Sequence, residues 1–159
     1  MTVKKIPDGY HSITPYITVE DGYKALAFYK AAFGAVETML LPMGERVGHA
    51  EIQIGDSRVM LGEEWPSMDM LSPKKRGGTS SGLMVYVEDV DAAFARAIAA
   101  GATELSAVTD QFYGDRSGKV ADPFGHQWTL GTHIEDVDPT EMGRRMADWA
   151  AGQKPGTND

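Results

Sequence analysis

The chain carries one succession of signals twice, and that doubling limits what it can fold into. Residues 117–133, SGKVADPFGHQWTLGTH, read as a hairpin: Asp122 opens the turn, Pro123 follows with its preset φ, and Gly125 closes the corner. A weaker copy, IQIGDSRVMLG, occupies 52–62. Upstream, Val19-Glu20-Asp21, Ala25-Leu26-Ala27 and Gly34-Ala35-Val36-Glu37 match Val87-Glu88-Asp89, Ala93-Phe94-Ala95 and Gly101-Ala102-Thr103-Glu104, with one residue dropped near Phe33. Two copies of a unit this long make a paired module, not a solenoid.

Each copy predicts β-α-β-β-β. In the first, 12–20 alternates, with Ile13, Ile17 and Val19 on one face and Ser12, Thr14, Tyr16 and Thr18 on the other. Asp21 caps a helix whose apolar side is Leu26, Phe28, Tyr29, Ala32 and Phe33, and Gly34 ends it. Strands at 36–42, 47–54 and 57–62 follow. The second copy predicts a strand at 82–88, a helix from Asp89 to Gly101, strands at 103–108 and roughly 111–114, and then the hairpin. Between them, 65–81 loses periodicity and reads as a mobile connection; its Lys74-Lys75-Arg76 run is a solvated charge run rather than a phosphate clamp, and Gly77-Gly78 lacks the context of a phosphate loop. Asp138-Pro139-Thr140-Glu141 starts a C-terminal helix at 138–151, with Met142, Met146 and Trp149 as a docking face, and 152–159 reads as a disordered tail. The expected layout is therefore an α+β protein with modules at 1–64 and 82–137.

With 159 residues, 42% of them hydrophobic, two half-domains can share one core. The 23 acidic residues outnumber 15 basic ones, and a net charge of −8 argues against nucleic acid or an anionic membrane as partner. No apolar run is long enough for a membrane span and nothing suggests a secretion signal. The absence of Cys removes thiolate chemistry and fits a cytoplasmic setting.

The doubled pattern, the segments ending in AFGA and AAGA, and the closing FYGDRSGKVADPFGHQWTL together resemble the glyoxalase, bleomycin-resistance and extradiol-dioxygenase (vicinal oxygen chelate) superfamily, most closely its PhnB-like branch. The resemblance spans 12–133. It implies two modules whose curved mixed sheet encloses a small-molecule cavity, a homodimer, and a divalent metal held from the first and last strand of each module. Carried residue by residue, those metal places fall on Thr14 and Met60 in the first module and on Gly82 and Thr129 in the second. None is a credible ligand for the metals concerned, so the resemblance transfers the fold and leaves the expected metal site empty of donors.

Strand parity names the wall of that cavity. If the apolar faces meet the helices, the opposite faces present Thr14, Tyr16, Arg58 and Met60 from the first module and Met84, Tyr86 and Thr129 from the second, beside Ser12, Gln53 and Gln127. His49 and Glu51, two apart on one strand, share a face. They read as a hydrogen-bonded pair on an edge strand, as an acid–base or ligand-binding pair, or as a displaced metal pair. Tyr113 and Arg116 offer a stacking ring and a bidentate cation for a carboxylate or phosphate; the plainer reading is a hairpin tip with an Asp–Arg surface pair. His126 satisfies local backbone groups, His133 neighbours His11, and Trp128 belongs to the core. Two functions fit: a metal-independent binder of a small organic ligand, or an enzyme (lyase, isomerase or dioxygenase-like) using His49 and Glu51 on a small organic acid or carbonyl compound.

Overall fold

A computed structural model describes residues 3–153; from residue 154 onward the expected tail lies outside them. The first module runs β1 (Tyr16–Val19), α1 (Gly22–Phe33), β2 (Val36–Met43), β3 (Arg46–Ile54) and β4 (Ser57–Glu63). A 3-10 turn (Pro66–Met68) and the short α2 (Pro73–Arg76) lead to β5 (Gly82–Tyr86), α3 (Val90–Ala100), β6 (Thr103–Asp110), β7 (Asp115–Ala121), β8 (Gln127–His133) and α4 (Pro139–Gly152). No helix among the described residues is long and apolar enough to cross a membrane.

The repeat is geometric as well as sequential. Asp21 accepts from the Lys24 amide and Asp89 from the Ala92 amide, each at 3.0 Å, so both helices start on the expected caps. Each first helical amide is also bound by the last strand of its own module: Gly22 N–H donates to Glu63 at 2.9 Å, and Val90 N–H to Thr132 at 3.0 Å. Both sheets have the order first-fourth-third-second, with the first and fourth strands parallel and the remaining pairs antiparallel.

The α+β architecture of two β-α-β-β-β modules is as expected, each module contributing one four-stranded mixed sheet, β1-β4-β3-β2 and β5-β8-β7-β6. What joins the modules is α1 packed on α3 and an aromatic cluster in which Tyr29 and Phe33 of α1 lie 5.5 and 4.8 Å from Trp128 of β8. Trp128 is core, as its parity requires. The buried Asp122 carboxylate sits against this cluster. It accepts from Tyr29 Oη at 2.6 Å and from Trp128 Nε1, Phe124 N and His126 N at 2.9 Å each. The DPFG turn is therefore a joint between modules as well as a local corner. His126 adds to it: its Nε2 meets the Thr18 carbonyl of the other module at 2.8 Å.

Three boundaries differ from expectation. The first strand begins at Tyr16, because Pro15 has no amide to donate and bends the chain before it, leaving Ile13 87% exposed. Residues 111–114 form the turn into β7, closed by Gln111 N–H to Asp115 O at 2.7 Å and by Gly114 with φ 96°, rather than a strand. The connection 65–81 is fastened down. Ser72 is fully buried, caps α2, and its amide donates to Glu64 at 3.0 Å, while Lys74, Lys75 and Arg76 meet Glu20, Glu64 and Asp69.

Candidate functional site

Ile17, Val19, Ala50, Ile52, Val59 and Leu61 turn toward the helices and are buried. Alternation then sends Tyr16, Met60, Glu51 and Met39 to the opposite face, where strand register sets them in one row across β1, β4, β3 and β2. His49 stands one step along β3 on the same face. Tyr16 Oη lies 3.2 Å from His49 Nδ1, and His49 Nε2 lies 3.1 Å from Glu51 Oε1. Glu51 is 8% exposed, and the other oxygen of its carboxylate accepts from Tyr10 Oη. The result is one chain of polar groups, Tyr16–His49–Glu51–Tyr10, flanked on that face by Met39 and Met60. Gly62 makes room for it: a Cβ there would come within 2.8 Å of the Tyr16 hydroxyl.

The electrostatics assign roles within the chain. A carboxylate beside Nε2 favours the tautomer with its proton on Nε2, leaving Nδ1 to accept from the Tyr16 hydroxyl. Burial pushes the Tyr16 hydroxyl up, so Tyr16 is a neutral phenol at physiological pH. A ligand proton arriving at Tyr16 Oη can be matched by transfer of the tyrosine proton to His49, whose charge Glu51 offsets.

The segment before β1 covers part of this face. Between the arm and the sheet lies an open recess of about 430 Å³, lined by Pro7, Tyr10 and Thr14 among others from the arm and by Met39, Glu51 and Met60 from the strands. None of the lining comes from the second module. Arg58, on the same face of β4, places its guanidinium 5.5 Å from the centre of the Tyr10 ring.

On the second module's inner face Met84 stands opposite Thr129. Tyr86, 63% exposed, donates to Asp115 at 2.8 Å, and Tyr113 Oη lies 3.4 Å from Ser117 Oγ. His133 does not meet His11. Its Nδ1 contacts Asp115 at 2.7 Å and its Nε2 contacts Asp136 at 2.9 Å, and Asp136 and Asp115 together raise its pKa. Tyr113 and Arg116 are not brought together on the inner face. Arg116 points to the helix side, where Asp91 binds it through two nitrogens at 2.8 Å and Asp110 through a third at 2.9 Å. Asp115 and Arg116 open strand β7 rather than a hairpin tip, and the buried Asp115 is not the partner of Arg116.

Sequence reasoning missed Tyr10, whose partner is 41 residues away and leaves no local signal, and Asp115, which the misplaced 111–114 strand hid. In the register observed, the facing residues of first and last strands are Tyr16 with Met60 and Met84 with Thr129. A phenol, two thioethers and a hydroxyl do not fit the divalent metal that such a fold implies. Among the described residues no group of three or more His, Asp or Glu is arranged to hold a metal ion.

These features define a class: paired β-α-β-β-β modules with polar groups on the inner faces of their sheets. The family model of the Glyoxalase/Bleomycin resistance protein/Dioxygenase superfamily matches residues 9–130, and the chain belongs to that superfamily. It is 39% identical over 145 residues to an uncharacterized protein of Mycobacterium bovis, covering 89% of this chain and 95% of that one. Among solved structures, TioX from Micromonospora sp. ML1 superposes with a TM-score of 0.63 at 26% identity, covering 78% of this chain and 99% of TioX. An Arabidopsis thaliana gene product superposes with a TM-score of 0.62 at 29% identity, covering 79% and 99%.

Proposed function

We propose that this PhnB-like member of the superfamily binds a small organic ligand on the inner face of its first module, without the metal centre of its metal-dependent relatives. The observation that carries the reading is the Tyr16–His49–Glu51 chain, whose Glu51 end lines the recess under the arm together with Met39 and Met60: a polar network ending on an apolar floor, the composition of a small-molecule pocket. Adaptable methionines suit an amphipathic or aromatic ligand. The working unit is a homodimer acting in the cytoplasm. Two features support pairing: Met39, Leu41 and Met43 on β2 and Met84 and Tyr86 on β5 are exposed on the inner faces, and α4 leaves Met146 and Trp149 half exposed. The same polar chain supports a second reading, an enzyme that moves a proton on a small organic acid or carbonyl compound through Tyr16, with His49 as its base and Glu51 orienting the imidazole.

The test is an NMR titration of a fragment set against the protein and its His49→Ala variant. Hits whose shifts centre on Met39, Met60 and His49, and whose affinity falls about tenfold in the variant, are expected. Hits that map elsewhere and ignore the substitution would remove the site.

A further inference from the structure

The arm before β1 places one of its own side chains, Tyr10, in the candidate site. Pro7, Asp8, Gly9 and Tyr10 form a tight turn: Tyr10 N–H donates to Pro7 O at 3.1 Å, and Gly9 takes φ 82° at the position where a type II turn wants glycine. The turn delivers the Tyr10 ring to the inner face. There it meets one group at each end of its chemistry. Its hydroxyl donates to Glu51, a carboxylate almost wholly withdrawn from solvent, and its ring lies beneath the Arg58 guanidinium. Arg58 makes no ion pair with any described residue, and its Nε is buried without a hydrogen-bond partner, so its cation is free to be satisfied by an electron-rich ring.

We infer that Tyr10 stands in for a ligand, and that the site between the arm and the first sheet takes hydroxylated aromatic molecules of the phenol class. The inference rests on the reading of the first module's inner face as a binding site and adds the chemistry of its occupant. Swinging the Pro7–Tyr10 turn away leaves Glu51 with one acceptor oxygen lacking its donor and Arg58 with no ring. A phenol restores both. An aromatic ring without a hydroxyl restores only the second, and the buried acceptor is left unmatched. The arm and the ligand therefore compete for one place, and the apparent affinity is the intrinsic affinity reduced by the fraction of molecules with the arm displaced.

The probes are p-cresol and its methyl ether, p-methylanisole, which keeps the ring and loses the donor. Each is titrated by calorimetry and by methyl NMR of Met39 and Met60 into the full-length protein and its Tyr10→Ala variant. Tyr10→Ala is expected to bind p-cresol about tenfold or more tightly than the parent, because the internal competitor is gone. In that variant p-methylanisole should bind about tenfold or more weakly than p-cresol, and adding Glu51→Gln should shrink the difference. Equal p-cresol affinity in parent and variant overturns the competition; equal binding of the two probes to Tyr10→Ala overturns the role of Glu51. If either occurs while fragment hits still depend on His49, the binding site stands and only its phenol assignment falls. If His49-dependent hits are lacking as well, the site itself is wrong.

Discussion

Tyr29→Phe tests the joint between modules most cleanly. Tyr29 is fully buried in α1, and its hydroxyl donates at 2.6 Å to Asp122 in the β7–β8 turn. Burial, then the neighbouring Asp122 carboxylate, pushes its hydroxyl far up, so it remains a neutral donor over the whole range in which the protein is handled. Phenylalanine keeps the ring among Phe28, Phe33, Phe124 and Trp128 and deletes only that donor. Asp122 retains three of its four donors, so it stays charged and partly compensated. One hydrogen bond to a charged group contributes about 1.5–3 kcal/mol. For a domain of this size each kcal/mol moves the melting temperature by about 2–4 °C, which gives a fall of roughly 3–12 °C by differential scanning calorimetry. Asp122→Ala, which strips all four donors of their acceptor, should cost more. A Tyr29→Phe shift below about 1 °C, against that same scale, would refute the idea that this contact couples the modules.

Neighbouring positions on β3 should behave in opposite ways. Ile52→Ala, at 1% exposure on the helix side, should lose about 2–5 kcal/mol by thermal unfolding and leave ligand affinity alone. His49→Ala should lose about 1 kcal/mol or less yet weaken binding; the reverse ranking would invert the face assignment. Burial works to raise the Glu63 pKa, but the Val47 and Gly22 amides and Arg46 hold it below the ordinary 4.5. Its contribution is present above pH 4.5 and is lost as pH falls through the depressed value, so Glu63→Gln should flatten the acid limb of stability against pH. Asp136 and Asp115 raise His133, so its contribution is complete below the ordinary 6.5 and is lost as pH rises through the higher folded value. His133→Gln should abolish that alkaline loss in a pH series of melting curves, and an unchanged profile would show that the imidazole is not the titrating group.

Local chemistry made much of the molecule readable beforehand. Asp21 and Asp89 cap their helices because a short carboxylate at that position satisfies amides the helix cannot, and Gly34 and Gly101 end them because a left-handed residue there costs glycine little. Ile52 and His49 fall on opposite faces because a strand alternates, wherever it sits. These are short-range rules, each settled within a few residues. They gave the β-α-β-β-β order, the burial of Trp128, and the Tyr16–His49–Glu51 face.

What only the tertiary structure decided involves partners far apart in sequence. Nothing near Asp122 says that its carboxylate will receive Tyr29 from 93 residues away, and nothing near Tyr10 says that its hydroxyl will reach Glu51. Arg116 was legible as a cation but not as one facing Asp91, since the face depended on where β7 began, and that depended on the turn at Gly114. The doubled pattern announced one set of strands per module, but how the two sheets stand to each other was a tertiary decision, because parity fixes which side of a strand is apolar and is silent on whether two sheet edges pair or stand apart. Sequence determined the elements, their caps and their faces, where the free energy is local. The meeting of the modules and the covering of the site by the arm were decided by long-range contacts, whose energies arise only once the chain has closed on itself.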